Sequence, residues 1–128
     1  MIDTLKIGEY IYDALSQDSS VNGYRVYPLV ADNNAKFPFV IYRRAGLESS
    51  TCKDGTYEDS VTMEVMVVSD TYSTGIDIAV RIREILEQQY AIFNDMEIND
   101  GNMVLATEEY SDNAYIQRMQ FNFKINRN

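Results

Sequence analysis

Two hydrophobic periods meet in the stretch Thr56–Gln89. Val61, Met63, Val65 and Val67 alternate with Ser60, Thr62, Glu64, Met66 and Val68, a two-residue period that predicts a strand over 56–68. Beyond Ser69 and Asp70 the spacing lengthens. Ile78, Ile82, Ile85, Leu86 and Gln89 follow helical spacing, which predicts a helix over 74–89. Thr74 stands where an N-cap would, and Asp77 after it resembles a capping box. Neither an amphipathic strand nor an amphipathic helix buries its apolar face alone, so the two are expected to pack together. Each inward-facing residue of the strand is worth ~1.5–3 kcal/mol on burial.

The rest of the chain divides around this unit. Asp3–Ser16 reads as a first helix with Leu5, Ile11, Tyr12 and Leu15 on its apolar stripe and Asp3 or Thr4 as its cap. Gly8 interrupts that stripe at a cost of ~1 kcal/mol against Ala, and is expected to admit a close backbone neighbour. Asn22-Gly23 signals a turn, Tyr24–Tyr27 a short strand stopped by Pro28, and Asp32–Lys36 a loop. Pro38 opens a second strand with Phe39, Ile41 and Arg43 on one face and Val40, Tyr42 and Arg44 on the other. The polar segment Gly46–Gly55 joins this strand to the next as a hairpin. It is long for a hairpin loop, which usually runs ~2–5 residues. Either it forms an arm that reaches a partner, or it is a solvated loop into which the strands simply extend.

After the second helix, Asn94-Asp95 and Asn99–Asn102 read as turns around a very short strand at Met96–Ile98. Met103–Tyr110 and Tyr115–Asn126 are the last two strands, joined through Ser111–Ala114. The final strand places Tyr115, Met119, Phe121, Phe123 and Ile125 on one face and Arg118, Gln120, Asn122 and Lys124 on the other. One apolar and one wet face suit an antiparallel sheet covered on one side. The predicted class is α+β, a mainly antiparallel sheet with two helices packed on one face. A length of 128 residues fits a single domain, 1–128.

Composition removes several functions. The net charge is −9, from 20 acidic and 11 basic residues, which argues against stable nucleic-acid binding and against anionic membranes. Nothing reads as a membrane span or a signal peptide. Cys52 is the only cysteine, which points to synthesis in a reducing cytoplasm. Histidine is absent, so Ser-His-Asp and Cys-His catalysis are impossible, and zinc lacks its usual ligands. Lys53 beside Cys52 would lower the thiol pKa only slightly. Asp95, Glu97 and Asp100 could hold a hard cation, but their spacing does not match a calcium loop, and a solvated acidic turn is the simpler reading. Glu108 and Glu109 are adjacent in a strand and therefore point to opposite faces, a poor acid–base dyad. The six glycines form no phosphate-binding pattern. No enzyme, cofactor or metal is expected.

Charge placement says more. Glu84–Gln117 holds eight acids (Glu84, Glu87, Asp95, Glu97, Asp100, Glu108, Glu109, Asp112) and no Lys or Arg. Val21–Leu47 holds four bases (Arg25, Lys36, Arg43, Arg44) against Asp32. Two regions of opposite sign allow head-to-tail association, which closes into rings where the rotation permits. They can equally mix within one molecule and cancel, and the sequence alone leans that way.

The order of features resembles a known family. The elements are "RVYP" (Arg25–Pro28), "FPFVIYRR" (Phe37–Arg44), a polar hairpin, "VVSDTYSTGIDIAVRIREIL" (Val67–Leu86) and a C-terminal hairpin. Over about Leu5–Ile125 this is similar to the small tail-completion, or tail-terminator-like, proteins of long-tailed bacteriophages and prophages. The resemblance implies helices on an antiparallel sheet and a homo-oligomeric ring, expected to be a hexamer. Such a ring caps the finished tail tube, stops its growth and faces the head connector. It implies no enzymatic activity, a place in the bacterial cytoplasm during assembly, and then the head-proximal end of the virion tail. The alternatives are another virion neck or adaptor component and a host-encoded protein-binding domain. Partner contacts are expected at two places: Arg43, Arg44, Glu48, Lys53 and Asp54 in and around the polar hairpin, and Asp95, Glu97 and Asp100 in the base-free segment. A lumen lined by those acids would repel passing DNA.

Overall fold

The computed structural model describes residues 3–18, 21, 25–51, 55 and 57–127. Asn22, Gly23, Tyr24, Cys52, Lys53, Asp54 and Thr56 lie outside the described residues, so the expected turn at 22–23 and the Cys52–Lys53 pair are not placed.

The described chain begins with a 3-10 turn, Thr4–Lys6, started by Asp3, whose carboxylate accepts the Leu5 N–H at 2.8 Å. It continues into helix α1, Ile7–Ser16. Strands β1 (Arg25–Pro28), β2 (Phe39–Thr51) and β3 (Tyr57–Ser69) precede helix α2 (Tyr72–Leu86), and β4 (Tyr90–Phe93), β5 (Met96–Ser111) and β6 (Ala114–Arg127) follow it. These strands form one sheet in the order β1-β2-β3-β6-β5-β4. Among the described strands only β1 and β2 pair in parallel; the other neighbours are antiparallel. The class is α+β, as the alternating patterns imply.

The core lies between the sheet and both helices. Val61, Met63, Val65 and Val67 of β3 point into it, with Met119, Phe121, Phe123 and Ile125 of β6 beside them in register. Ile7, Ile11 and Leu15 of α1 and Ile78, Ile82 and Leu86 of α2 cover them. The α1 stripe differs from the expected one. Leu5 and Tyr12 are 57% and 49% exposed, and Ile7 and Tyr10 take their places. The 3-10 turn winds more tightly than an α-helix, so Leu5 is carried off the face that α1 buries. At Gly8 a side chain would meet a Tyr42 ring carbon at 3.5 Å; the close neighbour is a ring, not a backbone.

Helix α2 is set three residues earlier than the capping pattern suggests. Thr71 is its N-cap and makes no side-chain capping bond, while Thr74 lies inside the first turn. The Ser69 hydroxyl instead accepts the Thr71 N–H at 3.1 Å. The helix ends at Leu86, and Glu87 fastens its exit: one carboxylate oxygen takes Arg83 at 2.8 Å, the other the Met103 N–H at 2.9 Å. Gln89 therefore lies beyond the helix. At the other flank Arg81 reaches Asp18 at 2.6 Å and ties α2 to the segment after α1.

Two expected turns are strand. β2 and β3 run through much of the polar hairpin, as far as Thr51 and from Tyr57, so the strands extend into it. Asn99–Asn102 is a bulged part of β5, not a turn between strands. There Asp100 has φ 55°, and Gly101 packs so tightly that a Cβ would stand 2.5 Å from the Leu86 carbonyl oxygen.

Candidate functional site

No described helix covers the second face of the sheet, and its polar residues cover one another. Glu64, at the centre of β3, is flanked by Arg43 on β2 and Gln120 on β6. Its carboxylate accepts Arg43 Nε at 3.0 Å, Gln120 Nε2 at 3.2 Å and Arg118 Nη1 at 3.4 Å. The residue is 3% exposed, closed in by these polar side chains. Burial pushes its pKa up, but the hydrogen bonds from Arg43 and Gln120 and the charges of Arg43 and Arg118 outweigh that and hold it below its ordinary 4.5. Arg118 also pairs with Glu109 of β5, so one charged row crosses β2, β3, β6 and β5. A second row follows. Asn122 Nδ2 donates to Ser60 at 3.0 Å and Thr62 at 3.2 Å, and Lys124 Nζ reaches Ser60 at 3.3 Å. At one end of the face Phe37 stacks on Phe39 at 5.7 Å and Tyr27 meets Phe39 edge-on at 6.2 Å.

On the helix side, the β5–β6 hairpin projects past the start of α2. Glu108 accepts the Tyr72 hydroxyl at 2.8 Å and Gln117 Nε2 at 2.9 Å. These bonds, from Gln117 and then Tyr72, hold its carboxyl below the ordinary range. Tyr115 packs against Tyr110 at 4.8 Å and Tyr72 at 5.8 Å, forming an exposed tyrosine patch. Glu108 and Glu109 do point to opposite faces, one to Tyr72 and the other to Arg118.

The expected contact residues fall on opposite edges of the sheet. Arg43, Arg44 and Glu48 lie on β2. Arg43 belongs to the Glu64 network, Arg44 donates to the Leu5 carbonyl at 3.0 Å, and Glu48 stands opposite Ser60. Lys53 and Asp54 are outside the described residues. Asp95 is in the β4–β5 turn, Glu97 accepts the Tyr90 hydroxyl at 3.0 Å, and Asp100 occupies the β5 bulge. Among the described residues no three acids converge as metal ligands. β3 and β6 stand between the β2 arginines and the β5 acids, yet much of the charge is offset within the molecule, since Arg43 pairs with Glu64 while Glu84, Glu87 and Glu109 pair with Arg81, Arg83 and Arg118. Glu64, Arg118 and the tyrosine patch carry much of this surface but do not stand out in sequence. The one available signal is a carboxylate inside the apolar run Met63–Val68.

No family model matches the chain, and no curated protein matches its sequence. Solved structures do. A chain in the virion of a native gene transfer agent (GTA) particle superposes with a TM-score of 0.72 at 16% identity, covering 91% of this chain and 90% of that one. A second structure, which carries no functional description, superposes at 0.61 with 10% identity, covering 94% and 91%. The shared property is the fold. No helix among the described residues is long and apolar enough to cross a membrane.

Proposed function

We propose that this chain is a structural, non-enzymatic component of a phage-like virion, acting as one tail-completion domain. Copies form a ring, expected to be a hexamer, that caps the tail tube and meets the head connector. The observation that carries this reading is the likeness to a chain of the gene transfer agent virion over 91% of the sequence. The motif order from Arg25–Pro28 to Val67–Leu86 supports the finer assignment to tail completion. A surface of interlocked ion pairs, hydrogen bonds and exposed tyrosines, without His or a reactive constellation, suits contacts with other proteins.

The test is electron microscopy of particles made when the gene is deleted from the phage or prophage that carries it. Overlong tails and unjoined heads are expected, with normal particles restored by the gene in trans. Tails of normal length that fail to join heads would favour a neck or adaptor role. Normal joined particles would reject a virion role.

A further inference from the structure

We propose that the tyrosine patch beside the start of α2 is a binding site for an arginine side chain of a different protein. Tyr72, Tyr110 and Tyr115 receive the guanidinium on their ring faces, and Glu108 takes its charge. The inference concerns one pocket and does not depend on the ring reading.

Strand register builds the pocket. Glu108 and Tyr110 are two positions apart on β5 and so share a face; across the hairpin they stand opposite Gln117 and Tyr115 of β6. This is the face on which the helices lie, since Gln117 is level with the core residue Val67. Tyr72, the first residue of α2, meets them there. These five residues, with Glu109 at the border, line one concavity. The Tyr115 ring is inclined by 71° to that of Tyr72 and by 55° to that of Tyr110. Inclined rings wall a hollow, whereas a parallel stack would bury its own faces. Tyr110 and Tyr72 are 60% and 46% exposed, so ring surface remains open to a partner. An aromatic face carries negative potential and attracts a cation.

Glu108 has no counter-charge among the described residues. Its two bonds, from the Tyr72 hydroxyl and the Gln117 amide, come from neutral donors and both fall on Oε2. Oε1 is the position left for a further donor. The same bonds hold the carboxyl below its ordinary range, so it is charged at neutral pH. Glu109 differs, for it turns to the other face and is already taken by Arg118. The hairpin cannot supply a cation to Glu108 from its own sequence, because Glu84–Gln117 contains no Lys or Arg.

The walls select arginine. A guanidinium is flat and weakly hydrated; it stacks on aromatic rings while its N–H groups donate in plane, which a compact ammonium does not do. A second copy of this chain is poorly equipped to provide it. Arg43, Arg81, Arg83 and Arg118 are held by carboxylates, and Arg44 by the Leu5 carbonyl. Of the arginines whose side chains are described, Arg25 alone is not engaged in this way.

The experiment is an NMR titration of the full, isotope-labelled chain at constant ionic strength. The probe is a capped tripeptide with arginine at its centre, compared with its lysine and citrulline counterparts. The arginine peptide should shift the signals of Tyr72, Glu108, Tyr110, Tyr115 and the Gln117 side-chain amide, saturating in the millimolar range. The lysine peptide should bind at least about threefold more weakly, and the neutral citrulline peptide at least about tenfold. Glu108→Gln keeps the size of the side chain and should weaken arginine binding about fivefold or more; Tyr110→Leu should weaken it about threefold. Amide spectra unchanged away from the hairpin show that both variants fold. Equal binding of the citrulline peptide overturns a cation site, and equal binding of the lysine peptide overturns the guanidinium assignment. Shifts that never saturate, that spread over other exposed acids such as Glu48 and Glu84, or that survive Glu108→Gln overturn the pocket. Self-association in sedimentation velocity that both Glu108→Gln and Arg25→Ala abolish would make a second copy the partner and overturn the assignment to a different protein.

Discussion

Glu64 occupies a place that an apolar strand would fill with valine. Alternation gives its face but not its burial, because Arg43 and Arg118 lie 21 and 54 positions away. Its pKa is depressed in the folded state, so the stability it contributes is present above the ordinary value of 4.5 and lost as pH falls through the folded value. Urea unfolding between about pH 3 and 6 should show that loss. Glu64→Gln should cost about 1–3 kcal/mol at neutral pH and flatten the profile. Because Glu87 is also held low, by the Met103 N–H, some acid dependence should remain in the variant. Gly101 makes a second test at this scale. Its missing Cβ leaves room for a backbone oxygen and the Phe123 ring, so Gly101→Ala should destabilise by about 1–3 kcal/mol in thermal unfolding. Asn99–Asn102 spells a turn in sequence. The strand passes through it by means of a bulge, and only the packing of Leu86 and Phe123 reveals why the glycine is there.

At the scale of elements, the two-residue period locates β3 and β6 well, because a strand with one buried face must alternate. Helix ends are less legible. Thr74 and Asp77 form an attractive local pattern, but Ser69 satisfies the Thr71 N–H and the helix starts earlier. A partner outside the helix thus outweighs the local signal. The β5–β6 turn is more self-sufficient. Asp112 and Asn113 both have positive φ, 52° and 63°, the conformation of a tight two-residue hairpin. Asn tolerates that region and a β-branched residue does not. Asn113→Val should therefore lower stability by about 1–2 kcal/mol, with hydrogen exchange faster in Tyr110–Tyr115 than elsewhere.

For the whole molecule, the α+β class was legible because each apolar face needs a cover. Strand order was not, since no local signal says that β6 enters between β3 and β5. Nor do charge counts reveal that the β2 arginines and β5 acids lie on opposite edges, for that follows from strand order. β6 brings four core residues, Met119, Phe121, Phe123 and Ile125, none more than 4% exposed. A chain truncated after Gln117 should lose cooperative thermal unfolding and bind a hydrophobic dye. The middle position of β6 also governs timing. It is the last of the six strands to leave the ribosome, and until it arrives β3 and β5 have no partner between them. The six-stranded sheet becomes continuous only when synthesis reaches β6, and until then the nascent chain holds two separate strand groups, β1 to β3 and β4 to β5.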